Sequence, residues 1–477
     1  MTKTTILLPL LILAACGDPT EEDVDAGLPP ATYTFASRFD ADLSSVSYSG
    51  QTARQVLIDD LHTHLGGLTD SIDEQRFTPT DAGDVVGTID FYFRFDSDSN
   101  GDEAISITTE PGLAQTSHAD ISTGKDLVGK LAGNDAVTDH RDWSTEFSGW
   151  SDQGLAANGG STSTPEGLLG SFFATIEANA VAHADGENRK VGGVALPVTV
   201  TTQGQDLQQL TQKFLTGAVA FSQGTDDYLD DDVDGKGLLS PNTRDEDKPY
   251  TKLEHAWDEG FGYFGAARDY ADYTDEELAI KGGRDDWQGH HDSNGDGAID
   301  LTSEYNFGAA NNAAKRDRGS QAGAETDFTK DAFTAFLAGR HLIANAGEAL
   351  TDAELTALKG YRDQIVVAWE GALAATVVHY INDVLGDMDT FGTAQYEFLA
   401  HAKHWSEMKG FALAFQFNPR SPLPATRFQE LHAALGDAPT LADADETDVD
   451  DYRARLLAAR TMLEEAYGFA GANVEGW

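Results

Sequence analysis

Cysteine is nearly absent from this chain: Cys16 is the only one in 477 residues. No intramolecular disulfide can therefore staple the fold. Basic residues are scarce too, with 32 Lys and Arg against 80 Asp and Glu, a formal net charge of −48. A surface of that sign does not hold nucleic acid, or an anionic membrane face, through a basic patch. It suits cations, salty surroundings or plain solubility, and a solvated acidic surface is the simplest account. Several enzyme signatures are also missing. There is no His-Glu-x-x-His, no Gly-x-Ser-x-Gly and no Gly-x-x-x-x-Gly-Lys-Ser/Thr, so zinc proteases of that type, nucleophile-elbow hydrolases and P-loop enzymes have nothing to rest on. No residue is nominated as catalytic, and the balance lies against an enzyme.

What is present begins with 40% hydrophobic and 9% aromatic residues, enough for a sizeable core. The first residues, "MTKTTILLPLLILAAC", combine one Lys, a short apolar run and small residues before Cys16. That is the pattern of a secretory signal, too short to span a bilayer. Leu13-Ala14-Ala15-Cys16 resembles the bacterial lipobox, which implies a signal peptide over 1–15, cleavage before Cys16 and a lipid on its thiol. The acidic stretch 16–32, with Pro and Gly, reads as a tether. The expectation is export and lipid anchoring to the cell envelope, at the outer or inner membrane, with one large domain over 33–477.

Apolar spacing and start signals predict a mainly α fold: a helical-bundle body with one β-hairpin and long acidic metal-binding loops. Helices are expected over 53–65, 166–183, 205–223, 252–270, 326–345, 351–385, 390–415, 425–435 and 449–467. Thr164-Pro165-Glu166, Thr274 with Glu277 and Thr351 with Glu354 mark helix starts. The alternation of "VVGTIDFYFRF", followed by "AISIT", predicts the hairpin over 85–108. The stretch 142–165 reads as loop, and 96–110, 224–250 and 282–321 as inserted loops of calcium type.

Two acidic loops are near-copies, "DSNGDGAIDLTSE" from Asp292 and "DSNGDEAISITTE" from Asp98. A calcium loop needs oxygen ligands at alternate positions and a glycine at the sixth. Asp292, Asn294, Asp296, the Ala298 carbonyl and Asp300 meet that pattern around Gly297, with Glu304 one place late as the closing carboxylate. In the first copy Asp98, Asn100 and Asp102 match but Glu103 replaces the glycine. Counting from Asp96 restores Gly101. Structural Ca²⁺ is the expected ion.

Three His/carboxylate pairs sit at helical spacing: His255 with Glu259, His379 with Asp383, and His404 with Glu407. Bundles assemble metal sites from such pairs on facing helices, and imidazole suits iron, copper or zinc. Each pair is also an ordinary helix-surface contact. Convergence of His255, Glu259, His379, His404 and Glu407 would make a transition-metal site, with iron first, and a metallohydrolase would need an open position there.

Long motifs carry a resemblance. "VSYSGQTAR" at 46–54, "LEHAWDEGFGYFG" at 253–265, "DLTSEYNFGAANNAAKRD" at 300–317, "FLAGRHLI" at 336–343, "VVHYIN" at 377–382 and "HWSEMKGFALAFQFNP" at 404–419 resemble an uncharacterised bacterial lipoprotein family, domain-of-unknown-function family 4856. A weaker likeness is to imelysin-like proteins, helical exported proteins linked to iron uptake. Their Gly-x-His-x-x-Glu motif matches His404 and Glu407, with Ala402 where the glycine stands. That likeness implies metal ligands or their supports at His404 and Glu407. The expected function is thus a lipid-anchored envelope protein for acquiring a metal or metal complex, with metal ions and, through Cys16, the membrane as partners. The alternative is a calcium-stapled scaffold or glycan- or protein-binding lipoprotein, with Trp143, Trp150, Trp257 and Trp287 as contacts.

Overall fold

The computed structural model describes residues 27–135, 139–151, 155 and 161–477. The signal, the lipidation at Cys16 and most of the tether fall outside them.

The described chain is mainly helical. In order it forms α1 (Ser49–Asp73), α2 (Asp84–Phe93), the single turns α3 (Ser97–Asn100) and α4 (His118–Ile121), and α5 (Pro165–Ala184). After a two-residue hairpin of β1 (Lys190–Val191) and β2 (Val194–Ala195) come α6 (Leu207–Leu215), α7 (Lys252–Phe264) and the short α8 (Asp275–Leu278). Then follow α9 (Gly308–Arg318), α10 (Phe328–Asn345), α11 (Asp352–Met388), α12 (Phe398–Ala412), α13 (Ala425–Leu435), α14 (Glu446–Tyr467) and α15 (Gly471–Gly476). The strands pair antiparallel, Lys190 with Ala195 and Val191 with Val194.

The start signals act as local chemistry requires. Thr164 Oγ1 accepts from the Gly167 N–H ahead of Pro165. Thr251 with Glu254, Thr274 with Glu277 and Thr351 with Glu354 form reciprocal capping boxes, each satisfying two otherwise orphaned donors. α7 stops at Gly265, whose φ of +83° breaks the expected run to 270. α12 starts only at Phe398, because 390–397 is spent on turns through Gly392, φ +73°.

α11 is the spine. It packs against α10 and α12, and also against α9 and α14. α6 joins α12 to α1, and α1 in turn carries α2 and α7. α11 is long and apolar enough to cross a membrane, yet 78% of its most apolar stretch is buried inside the protein, as befits a central core helix.

Two expectations are corrected. The hairpin expected over 85–108 is instead α2 and the turn α3; the described hairpin lies at 190–195. Val85, Ile89 and Phe93 recur every four residues and are buried, so the same letters that alternate also make one helical face against α1 and α5. The insertion expected over 282–321 contains a full helix, α9. Its alanines gave a weak apolar pattern, but they bury their faces against α8, α10 and α11.

Beyond α6 the backbone widens into two π-helical stretches, Thr216–Phe221 and Gln223–Tyr228. Such geometry is rare and recurs at functional sites.

Candidate functional site

The acidic loops are held largely by their own hydrogen bonds. Asp292 accepts from the N–H groups of Gly295, Asp296 and Gly297, and Asn294 Oδ1 from that of Asp296. Asp296 Oδ1 accepts from the Ala298 N–H, and Gly295 and Gly297 take positive φ. The closing carboxylate is turned onto the loop itself. Buried Glu304 accepts from Ser293 N–H and Oγ–H and from the N–H groups of Asn294 and Asp300, so both oxygens are committed to the loop's own donors. Asp300 accepts from Gln115 and Thr302. The other copy begins on the helical turn α3, whose cap Asp96 accepts from the Asp98 N–H and the Ser99 hydroxyl. The two excursions are stitched together by backbone: Ile299 and Leu113 bridge, Ala114 N–H donates to Ile299 O, and Ile299 N–H donates to Gly112 O.

The five helical candidates do not converge. His255 faces Glu259 at 3.8 Å and the Tyr250 ring, and Glu259 accepts from Gln51. His379 faces Asp383 at 3.3 Å. His404 Nδ1 lies 2.9 Å from Asp387, which His401 also approaches at 3.4 Å. Glu407, one turn on from His404, goes to Lys213 at 3.5 Å and to the Tyr380 hydroxyl. His379 and His404 share the Tyr380 ring as a neighbour; His255 does not. Among the described residues no group of three or more His, Cys, Asp or Glu is placed to hold a metal ion. The proposed tryptophan contacts are mostly core: Trp143, Trp150 and Trp257 are buried, and only Trp287 is partly open, stacked between Arg284 and His291.

What the fold does bring together is a cavity of about 220 Å³ where α1, α6, α9, α11 and α12 meet. α6 supplies Gln212 and Lys213, α9 supplies Asn311, Asn312, Lys315 and Arg316, and α12 supplies Glu407 and Phe411. Asp59 enters from α1 and Tyr380 from α11. Three of the motifs, 300–317, 377–382 and 404–419, thus line one space. Three cations meet here in a protein of net charge −48.

Arg316 is the unusual member. It is 8% exposed, and among the described residues its Nε has no hydrogen-bond partner and no carboxylate lies within ion-pair distance. Burial pulls its pKa down to about 10, against the attraction of Tyr380 and Asp383. An unpaired buried cation is costly; Arg340, by contrast, is fully buried but bonds Asp258, Glu254 and Ser45. Lys213 donates to Gln212 at 2.5 Å and lies 3.5 Å from Glu407; burial lowers its pKa, with Glu407 and Asp59 opposing. Lys315 reaches the open mouth of the cleft, and the enclosing protein together with Lys213 and Arg316 lowers its pKa. Burial, then Asp60, pushes the Asp59 carboxyl up to about 6. The first turn of α9, Gly308 and Ala309, also faces the cavity and adds the positive end of a helix dipole. Asn311 Oδ1 is buried without a partner.

Lys213 lies in none of the long motifs; Lys315 and Arg316 lie in the one at 300–317, which does not by itself mark them as site residues. The one signal is periodicity: Arg316 falls on the buried face of α9 with Ala309, Asn312 and Ala313, where an apolar residue is expected.

Two further cavities differ in character. One of about 500 Å³ is lined by Tyr270, Asp275, Asp327 and Phe333; burial, then Asp317 and Asp327, pushes Asp275 up to about 6. The other, about 240 Å³ and chiefly apolar, has Glu370 at its floor. That carboxyl accepts from Asn418, from Ser421 at 2.5 Å and from Tyr467 at 2.6 Å, and burial pushes it up to about 7.

Residues 171–279 match the family model described as Domain of unknown function (DUF4856). The match runs from within α5 to just past α8, takes in Lys213 and the motif at 253–265, and supports the domain-of-unknown-function family indicated by the motifs. No curated protein matches the chain. No solved structure matches it.

Proposed function

We propose that this chain is a lipid-anchored binding protein of the cell envelope that takes a small anionic solute into the cavity of Lys213, Lys315 and Arg316. One observation carries the reading: the buried Arg316 opens on a cavity and, among the described residues, has no counter-charge within ion-pair distance. A bound anion supplies that charge, and the amides and helix terminus around it supply fixed dipoles. The extracytoplasmic placement rests on the leader and Cys16, and the acidic surface then keeps the molecule soluble while this cavity's cations select its ligand. The dispersal of the helical histidines favours this solute-binding reading over metal acquisition.

Thermal unfolding of the full chain with and without small anions tests it. A ligand at a hundredfold excess over its Kd stabilises the folded state by ~2.7 kcal/mol, so the melting temperature rises in wild type. In Arg316→Gln the rise disappears, while stability without anion is equal to or above wild type, because an uncompensated buried charge has gone. A wild type indifferent to every anion, with Arg316→Gln destabilised throughout, would show Arg316 to be purely structural and end the proposal.

A further inference from the structure

We infer that the cavity's ligand is a hydroxylated monocarboxylic acid of one sugar-acid unit, of which a hexuronate is the representative. This rests on the anion-binding reading of the same cavity and names its substrate class.

Charge comes first. Lys213, Lys315 and Arg316 face the carboxylates of Asp59 and Glu407; with all five ionised, one positive charge is left over. A monoanion neutralises it. A sulfate dianion overshoots and meets the carboxylate of Glu407, and a zwitterionic amino acid of zero net charge leaves the surplus charge in place.

Hydrogen-bond polarity narrows the class further. The cavity offers acceptors as well as donors: Glu407, Asp59 and Asn311 Oδ1. The last is buried and unpartnered although its own amide N–H₂ donates to Asn306 O at 2.7 Å. Sulfate and simple carboxylates only accept, so they leave these groups unmet, and hydrogen phosphate brings at most two donors on a charge centre that must sit among the cations. Hydroxyls donate and accept. A planar carboxylate matches the fork of a guanidinium, and Arg316 is the buried cation with its fork unspent.

The walls fit a small ring. Phe411 lies under the Lys213 ammonium at 5.7 Å, and Tyr305 and Tyr380 line the space, giving flat apolar faces for C–H groups. At about 220 Å³ the cavity is smaller than the ~300–1,000 Å³ of sites for drug-sized ligands, which restricts it to one monosaccharide-sized molecule.

Calorimetric titration of the full chain at pH 7 with D-glucuronate, D-glucose, acetate, sulfate and L-glutamate separates the cases. D-glucuronate is expected to bind one per chain, with D-glucose and acetate each weaker by about tenfold or more, the loss of one charge-assisted hydrogen-bond set in either direction. Arg316→Gln should weaken D-glucuronate at least as much. Lys315→Gln, at an exposed position that folding tolerates, should weaken it too. Acetate, sulfate or L-glutamate binding as tightly as D-glucuronate overturns the hydroxy-acid inference and leaves the anion site standing. D-glucose binding as tightly, or no anion binding at all, overturns both.

Discussion

Arg340→Met costs this protein about 3–5 kcal/mol, the usual result of stranding buried partner charges. Arg340 is fully buried between Asp258 at 2.9 Å and Glu254 at 3.0 Å, and also donates to Ser45 Oγ at 2.7 Å. Around Asp258 the Tyr33 hydroxyl and the Ser47 N–H complete the shell, and Arg38 joins Glu254 from the surface. The network therefore ties the segment before α1 to α7 and α10. Among the described residues, removing the guanidinium leaves Asp258 buried with no counter-charge and Glu254 with Arg38 alone. Denaturant unfolding of wild type and Arg340→Met measures the difference; a loss under about 1 kcal/mol would mean that water reaches the site and the network is not what closes this end of the fold.

The second large effect is one of pH. Glu370 titrates at about 7 in the folded protein against an ordinary 4.5, so the folded state binds the proton more tightly than the unfolded state. Its favourable contribution is complete below the ordinary value and is lost as pH rises through about 7. A shift of that size corresponds to about 3 kcal/mol. Between pH 5 and pH 8 wild type should therefore lose about 3 kcal/mol more than Glu370→Gln, which stays neutral while Ser421 and Tyr467 can turn their hydroxyls to it. Comparing the two proteins removes the other titrating groups, among them Asp59 and Asp275 at about 6 and His62 and His379 at about 4. Parallel pH profiles would show that Glu370 is ionised or hydrated in the folded state.

The helical body was legible in the sequence because its signals are local. Capping pairs at Thr274 and Thr351 and the apolar stripes of α5, α11 and α13 needed no tertiary information. The stretch 85–93 was misread because its letters satisfy two periods at once, and only packing against α1 and α5 selects the helix. α9 was hidden for another reason: alanine carries little periodic contrast, and its buried face is defined by the three helices around it. The cavity was legible in part. Glu407 was singled out, correctly placed on a helix beside His404, but its partner is Lys213, nearly two hundred positions away, and no spacing rule reaches that far. His255 and His404 fit helical-pair templates equally well, yet they project from helices that bring them to different surroundings. The acidic loops illustrate the same limit. Their turn geometry follows from Asp, Asn and Gly at fixed offsets, whereas the pairing of Ile299 with Leu113, almost two hundred positions apart, has no local signal.

The most direct measurement is native mass spectrometry of the full chain with D-glucuronate and, separately, sulfate as probes, alongside Arg316→Gln, Lys213→Met and Lys330→Gln, the last on a different cavity. The account predicts one bound anion per wild-type chain, retained in Lys330→Gln and lost in Arg316→Gln and Lys213→Met. Equal adducts in all four proteins, or none in any, would contradict an anion site at this junction of α6, α9 and α12.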